Sequence, residues 1–418
     1  MIYDSIIIGG GAAGFFTAIN LAKNKPESSI LILERGGQVL DKVRVSGGGR
    51  CNVTHSVFEP RPLTEFYPRG KRELLGPFHT FMTGDTMAWF EELGVPLKIE
   101  EDGRVFPQSD TSQSIIACFV AQALKYNIEV KTKTPLTSFK KVDDDFFEIE
   151  SKDSTYLSKT LVVATGSNPK MLKLLEEVQI TVTPTVPSLF TFNIKDVRIA
   201  NLAGLATQAR VKLLDLNKKP LLVNDRNIDQ NGTEGSVLIT HWGMSGPGIL
   251  KLSAWGAHVL KASNYDFYVE ISWLPDYNTE QLQEALRDSK FNLAKQTVAK
   301  WAPFDLPKRL WQNLVKASGV SDVLKWADIN KMMLNNLEQQ LLACRFRVSG
   351  KSTFKEEFVT AGGVDLTEID FKTYQSKKIK GLYLVGEVLN IDALTGGFNF
   401  QNAWRGGYIA AQALAESL

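Results

Sequence analysis

The sequence predicts an α/β protein in which a parallel-sheet domain, built from both chain ends, is interrupted by a β-barrel or sandwich insert and a helical cap. Three observations carry this prediction. The chain opens with a β-branched run, a glycine turn and a helix-periodic stretch, "DSIIIGGGAAGFFTAINLAKN". From about Ser188 to Ser272 short apolar runs alternate with Gly, Asn and Asp turns, as antiparallel strands do. The end, "GLYLVGEVLNIDALTGGFNFQNAWRGGYIAAQALA", again places a strand, a glycine loop and a helix in that order.

With 418 residues the chain exceeds one ordinary core. The expected division is residues 1–187 with 345–418 as one discontinuous domain, 188–274 as the β-rich insert and 275–344 as its helical part. A hydrophobic share of 44% and a charged share of 22% describe a folded chain. Forty-eight basic against forty-six acidic side chains leave no global field for a polyanion or an anionic membrane. Cys51, Cys118 and Cys344 lie far apart without a CxxC pair, so neither a disulfide framework nor a metal site is expected, and a reducing cytoplasm fits. The apolar N-terminus has no basic leader and is broken by Gly9, Gly10, Gly11 and Gly14, so it predicts neither export nor a membrane span.

Gly9, Gly11 and Gly14 satisfy G-x-G-x-x-G between a strand and a helix, the Rossmann-type arrangement for a dinucleotide. The first glycine permits the turn, the second lets the backbone approach a pyrophosphate, and the third lets helix and strand pack closely. Ala12 and Ala13 then form the first helical turn, whose free N–H groups suit phosphate. A second strand, "SILILE", ends at Glu34, twenty residues beyond Gly14, where a carboxylate can accept from ribose hydroxyls. The neighbouring Arg35 would favour a 2′-phosphate, but Glu34 at the ribose position disfavours one.

A second glycine triplet follows in "KVRVSGGGRCNVTH". A flavin dinucleotide extends beyond a pyrophosphate site, and a loop from Lys42 to Asn52 is placed to cradle the rest. Ser46, Gly47, Gly48 and Gly49 offer N–H groups without obstruction, and Lys42, Arg44 and Arg50 supply positive charge. FAD is therefore the expected cofactor.

Together with "EDGRVFPQSDTSQSI", "THWGMSGPGILKLS" and the C-terminal segment, this loop resembles the BaiN-like, or aminoacetone oxidase-like, family of FAD-dependent oxidoreductases, over nearly the whole chain. The resemblance places the chain in the two-dinucleotide-domain flavoprotein superfamily. It implies that Val130, at the end of "IEVKT", lies against the adenine and that the Thr165-Gly166 turn lies beside the cofactor. It also implies that Gly386-Glu387 holds a ribityl hydroxyl, and that Gly396, Gly397, Phe398, Asn399 and Gln401 meet the flavin at a helix start that stabilises negative charge.

No second G-x-G-x-x-G is present, so NADH or NADPH, if it donates electrons, docks transiently. Cys51 beside Arg50 and the glycine loop is one candidate proton donor or tuned thiol. His241, in a segment where Ser245 would cap a helix entered at Pro247, is another. Family members are associated with reducing C=C bonds conjugated to carbonyls, in steroid-like substrates and in a uridine of ribosomal RNA. An amine oxidase using oxygen is the rival enzyme, and a non-catalytic flavin-containing RNA-binding assembly factor is the reading from another class. From residue 285 to 355 thirteen Lys or Arg face five Asp or Glu, with Trp301, Trp311 and Trp326 interleaved. Such a stretch suits RNA, and amphipathic helices with their tryptophans inside would look the same.

Overall fold

The computed structural model describes residues 2–142, 146–221, 232–351 and 359–418. Two compact units emerge, Met1–Thr185 with Thr360–Leu418, and Val186–Val359. The first is built on a parallel sheet. β1 (Ile2–Ile8) pairs with β2 (Ile30–Leu33) on one side and β3 (Thr155–Val163) on the other, and β4 (Leu382–Leu384) lies outside β3. Glu129–Lys131 extends the sheet beyond β2, and the hairpin Leu136–Val142 with Phe146–Ser151 adds antiparallel strands. β2 is buried at every position, as a strand covered on both faces must be.

Helix α1 (Ala12–Asn24) is buried from Ala13 to Ala22, and against it packs the C-terminal helix, here α4 (Phe398–Ser417). Their contact is close because Gly407 has no side chain: a Cβ there would stand 3.0 Å from Thr17 Oγ1. The same unit holds α2 (Asp41–Gly49) and α3 (Lys71–Thr80). The stretch expected as a loop from Lys42 is thus helical at its start. The helix breaks at Ser46, where ψ turns to 152°, and at Gly47 and Gly48, which are left-handed at φ 57° and 69°.

The second unit holds a six-stranded antiparallel sheet ordered Phe192–Asn193, Gly243–Ser245, Thr233–Ile239, Ala206–Leu214, Asp266–Ser272 and Cys344–Ser349. Its ends meet, because Phe192 bridges to Lys351 and Asn193 Nδ2 donates to the Lys351 carbonyl at 2.7 Å. The sheet therefore closes into a barrel. Cys344–Ser349, expected in the first domain, pairs with Asp266–Ser272 instead. Its alternation puts Cys344, Phe346 and Val348 into this unit's core, which also receives Leu310, Trp311, Trp326 and Leu337 from the helices. The helix entered at Pro247 is capped by Gly246, not Ser245, whose hydroxyl instead accepts from Thr191 at 3.1 Å.

Candidate functional site

In the first unit the carboxyl ends of the parallel strands gather the glycine segments. The chain leaves β1 for β2 on one side and later fills β3 on the other, so a crevice opens beside β1, where open α/β sheets place their ligands. Gly9 (φ 110°) is pressed on the end of β3: a Cβ would lie 2.5 Å from the Ala164 carbonyl oxygen. At Gly14 a Cβ would lie 2.0 Å from the Gly9 carbonyl oxygen. At Gly11 it would meet nothing within 4 Å. Gly11 caps α1 without any side-chain bond, and no acid sits in the first turn, so the N–H groups at Ala12 and Ala13 have no side-chain acceptor at the cap.

Glu34 is fixed by backbone on both sides, one oxygen accepting from Gly10 N at 2.8 Å and the other from Gly36 N at 2.6 Å. Each oxygen keeps a further lone pair for a hydroxyl. Arg35 is exposed beside it, and Val130 pairs with Ile32 at a half-buried position of the sheet. Across the crevice Lys42 forms an ion pair with Glu387, whose other oxygen accepts from Thr360 N at 3.1 Å. A Cβ on Gly166, next to Thr165, would come within 3.5 Å of the same Glu387 carboxylate. Gly386 (φ 77°) lies on Ala13, where a Cβ would stand 3.0 Å from the alanine methyl. Residues from four distant stretches therefore meet around the start of α1.

The second triplet is held from behind. Ser112 N donates to the Gly49 carbonyl at 2.8 Å, and Arg50 lies over Phe106 at 3.9 Å while pairing with Glu100 and Asp110. Gly48 and Gly49 present backbone with nothing within 4 Å of a notional Cβ. Asn52, with its amide oriented to satisfy its neighbours, donates to the Thr54 carbonyl and accepts from Gly397 N, each at 3.0 Å. It thereby ties the triplet to the Gly396-Gly397 loop that opens α4. Asn399 braces that loop by bonding both backbone groups of Ala393.

The side chains of four expected site residues, Cys51, Arg50, Gln401 and Phe398, are engaged away from the crevice. The Cys51 thiol is fully buried, and burial pushes it up to about 12, so it offers neither a thiolate nor an accessible proton. Arg50 is engaged by Glu100 and Asp110 and does not tune it. Gln401 is fully buried, its oxygen accepting from the Thr54 and Thr86 hydroxyls at 2.7 and 2.9 Å, so it lies behind the crevice wall. The Phe398 ring is buried in a stack with His55 at 4.7 Å and Phe66 at 4.2 Å, leaving its backbone as the part that can meet a ligand. His241 is exposed on the second unit.

Burial sets two further side chains of this unit apart, His55, one of the few titratable histidines in the sequence, and Arg405. His55 is half buried between Gly103 and Gly396, and desolvation holds its pKa below the usual histidine value. Arg405 is wholly buried in α4; a lone arginine inside the run "NAWRGGYIAA" was the available signal.

The family model described as the HI0933-like protein Rossmann domain matches residues 3–413. The chain belongs to that family. Its members are FAD-dependent oxidoreductases, and the chain is one of these enzymes. The ribosomal RNA dihydrouridine synthase of Escherichia coli is 28% identical over 99% of this chain and 98% of that protein. The 3-dehydro-bile acid delta(4,6)-reductase of Clostridium scindens is 26% identical over 98% of each. Among solved structures, a 3-ketosteroid-delta4-(5alpha)-dehydrogenase from Rhodococcus jostii RHA1 shares the fold, with a TM-score of 0.50 at 12% identity, over 98% of this chain and 96% of that one. The crevice fits FAD on its own geometry: closed glycines shape the turn, open ones leave backbone bare, and the uncapped start of α1 awaits an anion. No helix of the described residues is long and apolar enough to cross a membrane, and no described cluster of His, Cys, Asp or Glu suits a metal.

Proposed function

We propose that the protein reduces a carbonyl-conjugated C=C bond, and that its substrate is a uridine in ribosomal RNA. The carrying observation is the end-to-end similarity to two reductases whose names describe one chemistry. Dihydrouridine arises by adding a hydride and a proton across a C=C bond conjugated to a carbonyl, as does a saturated bile-acid ring. Bound FAD supplies the hydride from its N5.

The chain's own residues support this reading by holding the cofactor. The Gly9–Gly14 turn and the start of α1 would hold the pyrophosphate, Glu34, fixed by Gly10 N, the adenosine ribose, and Glu387, steadied by Lys42 and Thr360 N, a ribityl hydroxyl. The first turn of α4 favours negative charge on the ring. The three cysteines are free and buried, which leaves no accessible dithiol relay among the described residues.

Exposed Lys295, Lys300, Lys308, Arg309, Lys316 and Lys325, with Trp301 half exposed among them, support an RNA partner over a small steroid. Positions 352–355 of that basic segment lie outside the described residues. NADH or NADPH is the proposed donor. Purified protein, supplied with NADPH or NADH and protein-free large-subunit ribosomal RNA, is expected to add two hydrogens to one uridine, read by nucleoside mass spectrometry. A steroid enone reduced under the same conditions while the RNA stays unchanged would transfer the activity to the small-molecule class.

A further inference from the structure

Arg405 is the largest unexplained charge in the first unit. It is 0% exposed, two turns inside α4. Its guanidinium lies 4.6 Å over the ring of Phe78 from α3 and 5.5 Å from that of Tyr374. Nη2 donates to Asn402 Oδ1 at 2.6 Å and the Tyr374 hydroxyl lies within reach of the guanidinium, while Nε and Nη1 make no hydrogen bond of good geometry. No carboxylate pairs with it among the described ion pairs. The polar groups that act on it are the hydroxyls of Tyr374 and Tyr67. Burial pushes the Tyr374 phenol up to about 12 and that of Tyr67 higher still, so both are neutral and neither cancels the charge.

An isolated buried cation costs several kcal/mol of desolvation, and arginine does not escape by losing its proton. Aromatic faces return part of that cost. A leucine or methionine would fill the space without it, so the charge itself calls for a use. Its place suggests one. Seven positions at 1.5 Å per residue put it roughly 10 Å along the axis from the start of α4, and the field of a buried charge is weakly screened over that distance. Tyr67 links the two ends, since its hydroxyl donates to the Phe398 carbonyl at 2.6 Å. The first turn of α4 has no side-chain cap and no acid, so its own partial positive charge adds to that of Arg405.

We propose that Arg405 is a positioning charge that raises the reduction potential of the bound flavin by stabilising its reduced, anionic form at the start of α4. Two electrons from the reductant and one proton from solvent leave the reduced ring one unit more negative than the oxidised ring. A nearby fixed cation shifts that equilibrium toward reduction. The inference rests on the flavin lying at the start of α4, and it is independent of which C=C bond is reduced.

The test is the flavin potential of the holoenzyme, measured by equilibrium dye titration in three variants. Arg405→Met removes the charge. Asn402→Asp keeps the packing and places a carboxylate on the guanidinium, while Arg405→Lys keeps the charge. The first two are expected to lower the reduced-to-oxidised ratio at a fixed potential at least tenfold, about 30 mV for a two-electron couple, and the lysine variant to stay within threefold of the parent. A merely structural arginine would gain a partner in Asn402→Asp, so the melting temperature would rise with no change in potential; that result overturns the proposal. Thr395→Asp, at an exposed position just before the glycine loop, separates the two assumptions. If it lowers the potential while the Arg405 and Asn402 variants do not, the flavin is where expected and Arg405 is not the source. If none of the variants moves the potential, the placement at α4 falls with the proposal.

Discussion

At Gly14 a Cβ would stand 2.0 Å from the Gly9 carbonyl oxygen, whereas at Gly11 it would enter open space. The two positions therefore separate folding from binding. Gly14→Ala is expected to push α1 off β1 and destabilise the unit by several kcal/mol, as overpacking against backbone does. Gly11→Val is expected to melt within a few degrees of the parent yet purify with less than a tenth of its flavin, read from the absorbance near 450 nm. Equal flavin content in the two variants would contradict these roles. His55 gives a pH signature. Burial lowers its pKa in the folded state, so the unfolded chain binds more protons below the unfolded value near 6.5, and folding stability falls as the pH drops through that window. The melting temperature should fall from pH 7 toward pH 5 less steeply in His55→Gln than in the parent; identical slopes would remove His55 as a cause. Glycine spacing and Glu34 were legible because each needs only its neighbours in sequence to make its argument. Cys51 and Gln401 were misread because burial is decided by strands and helices far away in the chain, Thr86 among them.

Strands and helices with strong periodicity were equally legible. The opening strand, turn and helix stand where the pattern put them. The glycine triplet was harder, since a helix that starts at Asp41 and breaks at Ser46 has the composition of a loop. Cys344–Ser349 was assigned to the wrong sheet because alternation specifies a strand's faces and not its partner. The three tryptophans of the basic segment divide in the same way. Trp311 and Trp326 are fully buried and stacked at 6.3 Å, with indole N–H groups bonded to the Val298 and Trp301 carbonyls, whereas Trp301 is 52% exposed. Trp311→Ala is expected to cost about 3 to 5 kcal/mol of stability. Trp301→Ala is expected to leave stability within about 1 kcal/mol and to weaken RNA binding several-fold. Unchanged affinity in Trp301→Ala, measured by filter binding at fixed salt, would take that ring out of the RNA surface.

Across the molecule, both chain ends build the crevice. Glu387 and the Gly396-Gly397 loop come from the last stretch and Lys42 and Asn52 from the first, with the second unit lying between them in sequence. That union is why the C-terminal glycines could be placed from resemblance and not from spacing. On the proposed function, a flavin held there passes hydride to a conjugated C=C bond. The most direct measurement removes the donor from the question: the flavin is photoreduced anaerobically and mixed in a stopped-flow instrument with protein-free large-subunit ribosomal RNA. Return of the oxidised flavin band is expected, with one dihydrouridine formed per flavin. A flavin that stays reduced with the RNA and with a steroid enone, yet reoxidises with oxygen, would contradict it and mark the protein as an oxidase.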